Sequence, residues 1–187
     1  MQVVKKINSL NQVVEKSRIR NKSIGFVPTM GALHAGHLKL VKKSKKLKSI
    51  VVVSIFVNPT QFGPNEDYKN YPRTLKNDLK VLKKYGADIV FTPIQKQILS
   101  HKTKHNCPQF SIEKRLCGKS RPKYFPGVKN IVLKLFDIVQ PDAAFFGEKD
   151  YQQYLVIKKM TESLKLNTRI ICVKTCLLYT SPSPRDK

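Results

Sequence analysis

A doubly wound α/β fold on a parallel sheet is what this sequence predicts, and three observations carry the prediction. Short apolar, β-branched runs alternate with amphipathic, lysine-rich segments of about a dozen residues, the pattern of βαβ units. One run, Ser49–Val57 (SIVVVSIFV), is apolar almost without interruption, as expected of a central strand covered on both faces. Loops rich in glycine, proline and asparagine follow these runs, at the edge where open α/β sheets bind their ligands.

Taken in order, residues 3–20 put Val3, Val4, Ile7, Leu10, Val13, Val14 and Ile19 at helical spacing and predict an amphipathic helix. SIGFVPT (23–29) reads as a buried strand, and GHLKLVKKSKKLK (36–48) as a helix with Leu38, Val41 and Leu47 turned inward. After the Ser49–Val57 strand comes a polar loop, NPTQFGPNEDYKNYPR. TLKNDLKVLKKYG (74–86) predicts a helix with Thr74 as N-cap and Gly86 as its stop. ADIVFTP (87–93) is the next strand, whereas residues 95–125 show no clear period. GVKNIVLKLFDIVQ predicts a helix, DAAFFG a short strand, DYQQYLVIKKMTESLK a helix and TRIICV a last strand. The tail CLLYTSPSPRDK (176–187) turns abruptly to Ser, Pro and Thr and continues no βα unit.

Composition narrows the function. With 187 residues and 41% hydrophobic content the chain can bury one domain's core. No apolar run reaches the length of a membrane span, and the N-terminus lacks the apolar block and cleavage site of a signal peptide, so a cytoplasmic protein without a membrane partner is expected. The net charge of +24 raises nucleic-acid binding. However, the lysines are spread throughout, interleaved with apolar residues at helical spacing, and no nucleic-acid motif accompanies them. Lysine-coated helix faces with no specific nucleic-acid partner are the expectation. Cys107, Cys117, Cys172 and Cys176 form no C-x-x-C pair and are expected to stay reduced. His101, His105 and Cys107 fall in a loose H-x3-H-x-C, read as a polar loop, so no resident metal site is expected.

Three constellations carry chemistry. In TMGALHAGH (29–37) a strand hands over to a helix. Gly31 and Gly36 permit close backbone approach, and His34 and His37 lie one turn apart at the helix N-terminus. That end attracts phosphate, and an imidazole N–H can donate to it, or an imidazolium can neutralise its charge. The alternative is a pair of structural histidines capping the helix. In GEKDYQQ (147–153) Gly147 allows a close approach, Lys149 supplies charge for a triphosphate, and Asp150 can accept from a ribose or cap a helix. In VNPTQFGPNED the amides of Asn58 and Gln61 can donate and accept, which suits a hydroxy or amino acid. Walker A, G-x-G-x-x-G and G-x-S-x-G motifs are all missing. The residues alone support nucleotide-dependent transfer or ligation without naming a substrate.

At these same residues the sequence resembles the pantothenate synthetase (pantoate–β-alanine ligase) family. The H-x-G-H of HAGH is shared with a wider nucleotidyltransferase superfamily, of which another adenylyl- or cytidylyltransferase is the alternative member. FVPTMGALHAGH, VSIFVNPTQFGPNEDYKNYPRT and FPGVKNIVLKLFDIVQPDAAFFGEKDYQQ are more specific and cover roughly residues 1–175 in the family's order. The resemblance implies ATP-dependent condensation of pantoate with β-alanine through pantoyl adenylate, with Mg²⁺ accompanying ATP, in a cytoplasmic homodimer. It implies that Met30, Gly31, Ala32, Leu33, His34, Ala35, Gly36 and His37 line the ATP site with Gly147, Glu148, Lys149 and Asp150. His37, His34 and Lys149 would act in catalysis. Gln61 and Gln153 would bind pantoate, and Gln61 would border β-alanine. The chain departs from the family at YFPGVKN, where Tyr124 and Asn130 replace a His and a Thr. Beyond IICVKT the family's SSRN loop and smaller lid domain give way to CLLYTSPSPRDK. A Rossmann-like ATP- and pantoate-binding domain over 1–175, a non-native or disordered tail over 176–187, a missing lid and impaired turnover are therefore expected.

Overall fold

Strands β2 (Ile24–Thr29), β3 (Ile50–Ile55), β4 (Ile89–Phe91) and β5 (Ala143–Gly147) are apolar on both faces, which only a sheet covered twice can satisfy. A computed structural model of the chain, describing residues 1–47, 49–63, 66 and 68–174, joins them with β1 (Gln2–Val4) and β6 (Arg169–Val173). The six strands run in the order β1-β4-β3-β2-β5-β6, and every pair is parallel. From β2 the chain winds through β3 and β4 towards one edge, then returns to β5 and β6 on the other side. The switch point therefore lies between β2 and β5.

Alternation along each strand builds two cores. Phe26, Val52, Ile89, Phe91, Ala144 and Phe146 face α1 (Ile7–Ile19), α4 (Gln95–Ser100), α6 (Tyr124–Val139) and α7 (Tyr151–Ser163). Val27, Val51, Val53, Val90 and Phe145 face α2 (Ala35–Lys46) and α3 (Leu75–Lys84). Val51, Val52 and Val53 are 0% exposed, and their burial contributes about 1.5–3 kcal/mol each. Helix α6 is buried nearly all round, between the sheet, α1, α7 and the turn after β3. Register is pinned by acids just ahead of strands. Asp88 Oδ2 accepts the Val51 N–H at 2.8 Å, and Asp142 Oδ2 accepts the Ile24 N–H at 2.6 Å.

The predicted fold class holds, with corrections to elements. Residues 2–4 are not helical: β1 extends the sheet as an edge strand on β4, and the helix begins only at Ile7. Val3 is 43% exposed and Ile19 is 76% exposed. Leu47 does not face inward; it follows the last turn of α2, where Ser44 turns in instead and bonds Ser49. That exchange has a steric reason, since a Cβ on Gly25 of β2 would stand 2.1 Å from Ser44 Oγ. Thr74 occupies the N-cap position of α3 but caps no N–H; its hydroxyl donates to Asp78 at 3.2 Å. Gly86, at φ +83, ends that helix as expected. The unassigned stretch holds α4, a 3-10 turn at Ser111–Lys114 and α5 (Cys117–Ser120). It is moored by Lys129 of α6, whose ammonium bonds Glu113 at 2.5 Å in a pair almost wholly buried. The 176–187 tail lies outside the described residues.

Candidate active site at the carboxyl edge of the sheet

The loop after β2 is shaped by bonds within the chain. Thr29 Oγ1 donates to the Ser54 carbonyl at 2.7 Å, locking the ends of β2 and β3 together. The chain then turns through two left-handed residues, Gly31 (φ +84) and Ala32 (φ +49). This turn aims the N–H groups of Ala32 and Leu33 at the Asp78 carboxylate of α3, at 3.2 and 2.9 Å. Asp78 is 3% exposed and is one of the residues the sequence reading missed. Among the lysines of α3 it looks like a solvated charge, and only its burial distinguishes it.

His34 and His37 then open α2. His34 is the N-cap, and its Nδ1 accepts the Gly36 N–H at 3.0 Å. The Nδ1 of His37 accepts the His34 N–H at 3.4 Å, closing a reciprocal capping box. The rings lie 4.2 Å apart between centroids. With Nδ1 accepting, each neutral ring carries its proton on Nε2. The capping role and the donor role are therefore compatible: one nitrogen serves the helix and the other serves a ligand. Of the two forms expected, the neutral imidazole is the one this environment favours. Burial, then the neighbouring His34 and Lys149, push the His37 pKa down to about 3, although the ring keeps partial solvent exposure. Burial and then Lys149 also lower His34, against a smaller upward pull from Asp150. Burial thus disfavours the charged form of both rings.

Those electrostatic effects bring Lys149 and Asp150 to the histidines from the neighbouring strand. β5 ends at Gly147, Glu148–Asp150 form a 3-10 turn, and α7 follows. Glu148 also adds to the effect of burial in raising the Cys172 thiol of β6. From the third loop, Asn58 and Gln61 separate into two roles. Asn58 is 1% exposed and saturated. Its oxygen accepts from the Thr60 N–H and hydroxyl, and its NH₂ donates to Gln61 Oε1 and the Gly127 carbonyl, both at 3.2 Å. It builds the turn Pro59–Gln61 rather than meeting a ligand. Gln61 Nε2 donates to Met30 Sδ at 2.9 Å, coupling this loop to the first. Gly127 is indispensable to that packing, because a Cβ there would stand 2.4 Å from the Thr60 carbonyl oxygen. Gln153, on the first turn of α7, accepts the Tyr124 hydroxyl at 3.1 Å.

The predicted residues thus converge on one edge from three strand ends. The H-x3-H-x-C residues do not converge. His101 bonds Asp137 at 2.6 Å, and the Cys107 thiol lies 3.8 Å from Met160 sulfur. A cleft of about 330 Å³ opens elsewhere, at the amino edge by Arg18, Gln140 and Thr168. Three of its polar side chains bond within the fold: Arg18 to the Gln140 carbonyl, Thr168 to the Pro141 carbonyl and Asp142 to the Ile24 N–H.

The family described as pantoate-beta-alanine ligase matches residues 2–177. The chain belongs to that family. Among curated relatives of this ligase family, a pantothenate synthetase of Caldicellulosiruptor saccharolyticus is 50% identical over 171 residues, covering 91% of this chain and 61% of the relative. The chain thus spans about three fifths of the relatives it matches. A pantothenate synthetase structure from Thermus thermophilus superposes with a TM-score of 0.86 at 39% identity, covering 94% of this chain and 62% of that one. A pantoate-beta-alanine ligase structure from Francisella tularensis, described as complexed with beta-gamma ATP and beta-alanine, gives 0.86 at 41% identity, covering 98% and 69%. Among the described residues, no helix of this ligase-family chain is long and apolar enough to cross a membrane.

Proposed function

We propose that this chain supplies the ATP- and pantoate-binding part of an AMP-forming ligase that joins pantoate to β-alanine. A pantoate carboxylate oxygen attacks the α-phosphorus of ATP, and the bond to the β-phosphate breaks to release pyrophosphate. The β-alanine amine then attacks the acyl carbon of pantoyl adenylate; the amide forms, a proton leaves the nitrogen and AMP departs. Mg²⁺ enters with ATP as part of the substrate. Positioning and charge neutralisation dominate such a reaction. The observation that carries this reading is the pair of neutral histidines, each with Nδ1 committed to α2, within the field of Lys149 at the switch point. The Nε2–H groups of His34 and His37 donate to phosphate oxygens, and Lys149 offsets their charge. Met30–His37 and Gly147–Asp150 enclose the nucleotide. Gln61 and Gln153 hold pantoate, with Gln61 also bordering β-alanine. The homodimer and the cytoplasmic location come from the family resemblance.

Calorimetry with Mg²⁺·ATP and with pantoate, followed by an AMP-release assay with β-alanine, tests the reading. Both ligands bind, and His37→Ala weakens the nucleotide about tenfold, the size of one lost hydrogen bond to a charged group. If neither ligand binds at millimolar concentration, the reading fails.

A further inference from the structure

Tyr124 is one of two positions at which the resemblance marks a departure from the family pattern, and its hydroxyl meets a predicted substrate-binding residue. We infer that Tyr124 is a positioning residue for the acid substrate, holding the Gln153 amide so that its NH₂ faces the hydroxy acid. The inference rests on the reading of Gln153 given above. The Tyr124 hydroxyl donates to Gln153 Oε1 at 3.1 Å. A carbonyl oxygen held there turns the amide nitrogen, with its two N–H donors, the other way. A hydroxy acid offers oxygen acceptors, so a fixed NH₂ is the complementary group. A freely rotating amide would lose side-chain entropy on binding, which the tyrosine removes in advance.

Tyr124 is itself held on three sides. Its N–H donates to the Arg121 carbonyl at 3.0 Å. Its ring carries the Arg121 guanidinium 4.2 Å from the ring centroid, and it meets Phe125 edge-on at 5.0 Å. Arg121 in turn is gripped by both carboxylate oxygens of Glu66, with Nη2 at 2.7 Å from Oε2. Glu66 belongs to the loop after β3 that also carries Gln61. A line of contacts therefore runs from one substrate-binding loop through Arg121 and Tyr124 to the other. The neighbouring Gln152 fixes the helix rather than the ligand. Its NH₂ donates to the Ile112 and Arg115 carbonyls at 2.8 and 2.7 Å, and its oxygen accepts the Cys117 N–H at 3.2 Å. Gln152 sets where α7 begins, and Tyr124 sets how Gln153 points.

The test is calorimetry of this chain with pantoate and, separately, with Mg²⁺·ATP, on the parent, Tyr124→Phe, Tyr124→His, Gln153→Ala and the Phe/Ala double variant. Tyr124→Phe, which removes one hydroxyl, weakens pantoate about three- to tenfold, the span of one neutral hydrogen bond, and leaves Mg²⁺·ATP affinity and the thermal midpoint unchanged. Tyr124→His restores an N–H donor and recovers part of the loss. In the Gln153→Ala background, Tyr124→Phe adds nothing, because the amide it positions is gone. Three results overturn the inference alone: unchanged pantoate affinity in Tyr124→Phe, an equal loss for both ligands, or a full additional loss in the double variant. A parent chain that binds Mg²⁺·ATP but not pantoate overturns the reading of Gln153 together with it.

Discussion

The Nδ1 atoms of His34 and His37 accept backbone N–H groups, so protonating either ring breaks a helix cap as well as adding a charge. Folding lowers both pKa values, so the folded state binds the proton less well than the unfolded chain. Their contribution to stability is whole above the unfolded value of 6.5 and drains away as pH falls towards about 3, the folded value of His37. His37→Asn keeps an acceptor near the Nδ1 position and cannot titrate. Urea unfolding at pH 7 and pH 4.5 will show a smaller loss of stability in that variant than in the parent. Equal losses would remove His37 from the acid response. Asp78 makes the complementary case. Asp78→Ala strands the Ala32 and Leu33 N–H groups, at about 1–3 kcal/mol each, and frees the loop that precedes the histidines. Thermal denaturation will show the lost stability, and calorimetry a weaker Mg²⁺·ATP; an unchanged midpoint would mean water replaces the carboxylate. The histidines were legible because two rings and two glycines crowd nine residues. Asp78 was not, because its partners lie 45 and 46 residues away in the chain.

At the scale of elements, the first turn of α6 and the turn Pro59–Gln61 approach each other backbone to backbone. Asn58 Nδ2 reaches the Gly127 carbonyl across that contact. In Gly127→Ala the new methyl group would meet the Thr60 carbonyl oxygen and carbon at 2.4 and 2.7 Å and the Gln61 Cα at 2.8 Å, all of them backbone. One element must move, at about 1–3 kcal/mol of strain. The thermal midpoint will fall, and pantoate, held through Gln61, will lose more affinity than Mg²⁺·ATP. An equal loss for both ligands would mean that the displacement spreads beyond this turn. Elements with strong internal patterning were readable: β3 from its valines, α6 from its apolar run, α3 from its terminating glycine. Elements held by distant partners were not. β1 is three residues long and owes its existence to β4. The 3-10 turn at Ser111–Lys114 and α5 depend on Lys129 meeting Glu113 and on Gln152 meeting three backbone groups. Neither signal has a period.

Across the whole molecule, half of the acids are committed to partners within the fold while most of the lysines coat it. Of the 12 acidic residues, Asp78, Asp88 and Asp142 hold backbone N–H groups, and Glu66, Glu113 and Asp137 hold Arg121, Lys129 and His101. Only a few cations are drawn in with them, Lys129 and Lys134 being the buried lysines among the described residues. Among the described residues the buried acids Asp78 and Glu113 offset those two lysines, so the cationic excess of the +24 chain stays on the exterior. Such a surface attracts polyanions without reading them. Duplex DNA of arbitrary sequence will bind this chain at low salt. Its affinity will fall steeply with ionic strength, by about 10³–10⁵ between 50 and 200 mM if six to ten phosphates are contacted. Because that attraction is diffuse, His34→Ala and His37→Ala will leave it unchanged, and saturating Mg²⁺·ATP will not displace the duplex. Fluorescence anisotropy across a salt series reads all three outcomes. Binding that persists at high salt, prefers one sequence or is lost with His37 would mean that the candidate site itself takes nucleic acid, and it would unseat the small-molecule assignment of the switch-point residues.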